Sequence, residues 1–93
     1  MKLKLRNFIQ KELIGLNITI CDSMDPTLIG IEGKIIDETQ NMFTILTEKN
    51  QSKKIVKENS TFKFRISEEK NVIIAGKILK GRPEERMKKF LKR

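Results

Sequence analysis

Residues 26–46, PTLIGIEGKIIDETQNMFTIL, constrain the fold of this chain more than any other stretch. The segment reads as one long strand, a polar turn over Glu38 to Asn41, and a second strand. On the first strand Ile29, Ile31, Gly33 and Ile35 share one side of the pleat, and Gly30, Glu32, Lys34 and Ile36 take the other. Two glycines three residues apart inside an apolar strand weaken it locally. They mark a bulge, a sharp coil, or a place where another backbone comes close. A strand bent that strongly can belong to both halves of a small barrel. After the turn, Phe43 and Ile45 fall on one face, and Met42 and Leu46 on the other.

The flanking segments repeat the same period. Leu16, Ile18 and Ile20 alternate with Asn17, Thr19 and Cys21, and DSMDPT then forms a turn. Ile55 and Val56 make a short strand between Lys53, Lys54 and Lys57. Thr61 to Ile66 gives the cleanest alternation, with Phe62, Phe64 and Ile66 inward and Thr61, Lys63 and Arg65 outward. Val72 to Leu79 reads as a last strand interrupted by Gly76. That makes six strands whose connections are too short for helical crossovers, which requires antiparallel pairing. Closure into a small six-stranded barrel suits short strands, because it removes edges that would pair with neighbouring molecules.

Both ends change period. Leu5, Phe8, Ile9 and Leu13 recur at helical spacing among basic residues, which predicts an amphipathic helix whose stripe lies on the barrel or on a partner. From Gly81 onward, Pro83 stands at the first helical position, with Glu84 and Glu85 in the first turn. Met87, Phe90 and Leu91 form a narrow apolar stripe beside Arg86, Lys88, Lys89, Lys92 and Arg93. The expected organisation is one domain over residues 1–93. It divides into a helical segment over 1–14, a barrel over 15–80 and a basic helix over 81–93. A chain of 93 residues supports a single core, since domains this small bury roughly 60–65% of the surface their unfolded chain exposes.

Charge narrows the function. Twenty Lys and Arg against twelve Asp and Glu leave a net charge of +8, in the range of nucleic-acid-binding domains. The excess gathers in two places. One is the C-terminal run of Arg82, Arg86, Lys88, Lys89, Lys92 and Arg93; the other is the set Lys53, Lys54, Lys57, Lys63 and Arg65. All five aromatic residues are Phe, so phosphate contact and shape are better suited to this chain than base stacking.

Catalysis by side chains has little to build on. With no His and one Cys, imidazole acid–base chemistry, an internal disulfide and a cysteine-built zinc site are all excluded, and a reducing, cytosolic compartment is expected. Asp37 and Glu38 are adjacent carboxylates, but neighbours on a strand face opposite ways. No P-loop or dinucleotide fingerprint occurs, nor any run of about 18 apolar residues that would span a membrane. No catalytic or metal-ligating residue is expected.

The runs KELIGLNITI, SMDPTLIGIEGKIIDETQNMFTI and LKGRPEERMKKF resemble the archaeal ribonuclease P protein component 1 family, counterpart of a eukaryotic subunit shared with the mitochondrial RNA processing particle. The resemblance covers nearly the whole chain, with a departure at Lys11, where the family often carries His. It implies an Sm-like barrel with terminal helices and membership of a cytoplasmic ribonucleoprotein that removes the 5′ leader from precursor tRNA. The RNA subunit, with bound magnesium, would carry the chemistry, and this chain would hold no cofactor. Implied partners are ribonuclease P RNA, precursor tRNA in the assembled particle, other ribonuclease P proteins and a zinc-ribbon subunit. The last would meet the stripe of Leu5, Phe8, Ile9 and Leu13. Neither a membrane nor a second copy of the chain is expected as partner. Two other readings compete: a general RNA-binding module of Sm-like or ribosomal type, which a basic barrel supports equally well, and a nuclease in its own right, for which catalytic groups are lacking.

Overall fold

The structure, a computed structural model, describes residues 13–81. The alternating segments form β1 (Asn17–Ser23), β2 (Glu32–Glu38), β3 (Met42–Leu46), β4 (Ser52–Val56), β5 (Ser60–Arg65) and β6 (Asn71–Ala75). They make one antiparallel sheet in the order β4-β3-β2-β1-β5-β6. Six strands and wholly antiparallel pairing agree with the sequence pattern.

Three strand expectations are corrected. β4, expected over Ile55 and Val56 alone, begins at Ser52, so Lys53 and Lys54 stand within the strand rather than beside it. The hairpin's first strand begins only at Glu32. Before it, Pro26–Leu28 is a 3-10 turn capped by Asp25, and Gly30 has a φ of 91°, which no extended strand accommodates. Hydrogen bonds from the Thr27 hydroxyl and then its backbone N–H hold the Asp25 carboxyl below its ordinary range. At the other end β6 stops at Ala75, and Gly76–Leu79 turns into a second 3-10 segment.

Closure is also corrected. Among the described residues β4 and β6 do not pair, so the hydrogen-bonded ring stays open and the expected closed barrel is one open sheet. The seam is occupied by backbone of another kind. The 3-10 turn Lys57–Asn59, which follows β4, packs against Gly76–Leu79, which follows β6, and Gly76 lies so close that a β-carbon there would run into the Lys57 carbonyl. The short terminal helices are not part of the described fold, since nearly all of their expected spans lies outside residues 13–81.

The sheet is nonetheless curled. Strands β3 and β5 are three steps apart in it, which would separate them by about 14 Å in a flat sheet at ~4.8 Å per step. Yet the Phe43 and Phe62 rings meet edge-to-face with centroids 5.4 Å apart, and Phe43 and Phe64 lie at 6.4 Å. One face has therefore closed on itself around a core of Leu13, Ile18, Ile20, Ile35, Phe43, Ile45, Ile55, Phe62, Phe64, Ile74 and Leu79.

Strand β2 produces much of this curl. Its first residues pair with β1 and its later ones with β3, and Lys34 is opposite both Asn17 and Leu46. At the crossover Gly33 faces inward opposite Ile18, where a β-carbon would stand 2.7 Å from the Leu46 carbonyl oxygen. Of the alternatives the sequence leaves open for this glycine, close backbone approach is the one realised.

A bulge at Ile36 then changes the parity of β2. Ile35 is opposite Ile45 inside, Asp37 is opposite Thr44 outside, and Glu38 is turned inward opposite Phe43. A second bulge, at Cys21, does the same in β1: it sends Asp22 outward opposite Thr61 and brings Ser23 inward, where the Ser60 hydroxyl donates to the Ser23 hydroxyl at 3.0 Å.

Replacing Gly33 by Val should therefore lower stability by more than the ~1 kcal/mol typical of a point substitution. Gly76→Ala should cost at least as much, because the atoms it meets are backbone carbonyls that cannot swing away. Thermal midpoints equal to that of the parent in both variants would show that neither approach is as tight as described.

Candidate nucleic-acid interface

The cations expected to contact RNA do not share one surface. Lys57 is withdrawn altogether. It is fully buried, and its ammonium donates to Glu38 Oε2 at 2.7 Å, the Thr39 carbonyl at 2.8 Å and the Gly81 carbonyl at 3.0 Å. It also lies 4.8 Å from the centre of the Phe43 ring. The inference from its neighbours, Lys53 and Lys54, is thus corrected: Lys57 holds the domain together and is closed to a phosphate.

This ion pair exists because of the bulge at Ile36. Without the parity change Glu38 would face solvent, and the adjacent carboxylates would exchange sides. As it stands Asp37 is exposed and Glu38 is nearly buried, so the two carboxylates diverge, as the strand pattern predicts. Lys57 and its partners join the β2–β3 turn, the end of β4 and the point where the chain leaves toward residue 82. The Gly81 N–H donates to the Gln40 carbonyl at 2.6 Å and completes the junction.

The remaining cations divide by face. Lys53 is on the inward side of β4 opposite Ile45, at the end of the core; Lys54 is on the outer face opposite Thr44. Lys63 and Arg65 are on the outer face of β5, opposite Thr19 and Asn17. In the sheet β3, β2 and β1 intervene between β4 and β5, so Lys53 and Lys54 do not form one patch with Lys63 and Arg65. What joins the latter two is Lys34, across β1, on the wall of an open groove of about 660 Å³ that they share with Asn17, Thr19 and Asn71. Lys34 is not in either basic set read from the sequence, although its place beside the inward Ile35 in GKIID marks it as an outward cation. Arg82, Arg86, Lys88, Lys89, Lys92 and Arg93 lie outside the described residues, as do Leu5, Phe8 and Ile9.

Leu13 is described, and it is corrected: it is wholly buried in the domain's own core and offers nothing to a partner. Cys21, at its bulge, is exposed, and no cluster of three potential metal ligands occurs among the described residues. None of the described helices is long and apolar enough to cross a membrane.

A curled antiparallel sheet with an apolar lining and cations on its outer face defines a small basic β-domain suited to lie against a polyanion. Comparison with known proteins makes that class particular. Residues 6–89 match the family described as Ribonuclease P/MRP, subunit p29, and the chain belongs to that family. Ribonuclease P protein component 1 of Methanococcus vannielii is 45% identical over 92 residues, covering 94% of this chain and 91% of its own. The same component from Staphylothermus marinus is 39% identical over 87 residues, covering 94% and 95%. A solved structure described as a homologue of a human ribonuclease P protein superposes with a TM-score of 0.59 at 37% identity, covering 82% of this chain and 97% of that one.

Removing one member of the buried pair should strand the other. Lys57→Met alone should cost about 3–5 kcal/mol in urea unfolding, whereas Lys57→Met with Glu38→Leu should recover a large part of that loss. A single substitution as mild as an exposed Lys→Met would contradict the buried geometry.

Proposed function

We propose that this chain acts as a non-catalytic protein subunit of ribonuclease P that binds and stabilises the enzyme's RNA while the particle removes the 5′ leader from precursor tRNA. The observation that carries this reading is the near end-to-end match to the ribonuclease P/MRP p29 family, in which the relatives cover almost their whole length as well. The chemistry of the chain is consistent with it. A net charge of +8 supplies phosphate contacts, and the Phe residues of the described sheet are in the core, away from any base. In this reading magnesium belongs to the RNA, and this chain holds no cofactor. Its surroundings are the cytoplasm, ribonuclease P RNA, precursor tRNA and further ribonuclease P proteins, with no self-association.

Two surfaces outside the described residues complete the proposal. The C-terminal cations from Arg82 to Arg93 add phosphate contacts, and Phe8 and Ile9 with Leu5 anchor a zinc-ribbon subunit. Because Leu13 belongs to the core, the stripe's partner-facing part is confined to its first three members.

Tagged chain recovered from native lysate should bring down ribonuclease P RNA. Recovery of ribosomal RNA alone would favour a general RNA-binding module instead. In titration against the zinc-ribbon subunit, Phe8→Ala with Ile9→Ala should weaken binding by ~2 kcal/mol or more while the thermal midpoint holds. Full affinity in that double variant would return the stripe to the protein's own packing.

A further inference from the structure

We propose that the outer-face groove of Lys34, Lys63 and Arg65 is a phosphate-backbone site for double-helical RNA, independent of base sequence. It rests on the reading of the chain as a ribonuclease P subunit, and it joins Lys63 and Arg65, which the charge pattern groups with the cations of β4, to Lys34, which neither the charge pattern nor the family resemblance singles out.

The register brings the three cations together. Arg65 is opposite Asn17 and Asn17 is opposite Lys34, so one cross-strand row carries two cations two strands apart, about 10 Å at ~4.8 Å per strand. Lys63 is two residues along β5, roughly 7 Å at ~3.4 Å per residue. Only the Lys63–Arg65 spacing lies within the Debye length at physiological salt, ~8 Å; Lys34 stands beyond it, about 10 Å from Arg65 and ~12 Å from Lys63, so the three act as separate cations on one face. Among the described residues none of them is ion-paired: the two salt bridges there are Lys57 with Glu38 and Lys80 with Glu58. Since no ion pair among the described residues occupies them, all three remain available to the phosphates of a polyanion laid across this face.

The rest of the lining defines the ligand further. Asn17 and Asn71 stand in the same row and offer amide donors to phosphate or sugar oxygens. No aromatic side chain among the described residues lines the groove, so these residues offer single-stranded bases nothing on which to stack, and their recognition falls to backbone and shape. Three carboxylates also border it. Glu32 accepts from the Thr19 hydroxyl at 3.3 Å, while Glu48 and Glu68 belong to the loops after β3 and β5. They repel an anion that strays from the cationic row and so confine it there.

Two opposed variants test this, using the full chain, a short RNA duplex of arbitrary sequence and a single strand of the same length. Lys34→Gln, Lys63→Gln and Arg65→Gln together should weaken duplex binding at least tenfold at moderate salt. They should also flatten the slope of log K against log salt by roughly 2 to 3, at ~0.7–0.9 per lost contact. The thermal midpoint should stay level, since none of the three is in an ion pair among the described residues. Glu48→Gln with Glu68→Gln should tighten duplex binding. Duplex affinity and slope unchanged in the triple variant would overturn the proposal, as would a wild-type preference for the single strand. A triple variant that fails to fold is replaced by the two-residue version, Lys34→Gln with Arg65→Gln, judged by the slope alone. Failure of the subunit reading is separate: it would appear as wild-type chain that does not recover ribonuclease P RNA, whatever the duplex results.

Discussion

The passage of the Leu46 carbonyl over Gly33 is the contact on which the rest of the domain depends. A sheet of five- to seven-residue strands must bury one face, and the described residues supply no second layer to cover it. The solution is to curl one sheet until its own inner face becomes the core. β2 turns from β1 to β3 within a few residues, and only a residue without a β-carbon allows the neighbouring backbone so near. The edge-to-face contact between Phe43 and Phe62 is the consequence: strands remote in the sheet become neighbours across the core. Aromatic rings suit that junction, because each buries a large area and their edge-to-face geometry is favourable.

A curled but open sheet leaves a seam, and its treatment explains the buried cation among the described residues. Backbone from two 3-10 turns packs at the gap between the edge strands β4 and β6, with Gly76 against the carbonyls of Lys57 and Ser60. Beside it Lys57 gathers a carboxylate and carbonyls from the β2–β3 turn and from Gly81. Burying an ammonium is tolerable only with such compensation, and the bulge at Ile36 supplies it by turning Glu38 inward. By contrast the Lys80–Glu58 pair, at 3.5 Å and exposed, contributes little. The same chemistry thus serves two ends. One lysine is consumed by the architecture, and the outward ones remain for a partner.

That division fits a ribonucleoprotein subunit better than the raw charge does. A particle whose RNA performs the reaction needs from its proteins rigid surfaces that neutralise phosphate without competing chemistry. The outer face of this sheet has cations held at strand spacing and no histidine in the chain to titrate near neutrality. Rigid strands hold those charges at defined separations more faithfully than a loop would.

Much of this was legible in the sequence. Apolar patterning placed a strand at each of the six positions, though with other bounds for β2, β4 and β6, and alternation gave the inward set of Phe62 and Phe64 on β5 and of Phe43 and Ile45 on β3, because burying one face of a pleated strand leaves that signature in one dimension. The motifs at both ends and around the central hairpin identified the family. Tertiary structure alone decided the rest. Alternation cannot announce a bulge, so the inward turn of Glu38 and the burial of Lys57 were hidden behind a row of lysines that look alike on paper. Nor does it report which strands are neighbours, so Lys53 and Lys54 were grouped with Lys63 and Arg65 although three strands separate them, while Lys34 was passed over. The distinction is physical: burial of a strand face is a local property repeated every second residue, whereas ion pairing, closure and the grouping of charges depend on contacts between residues far apart in the chain.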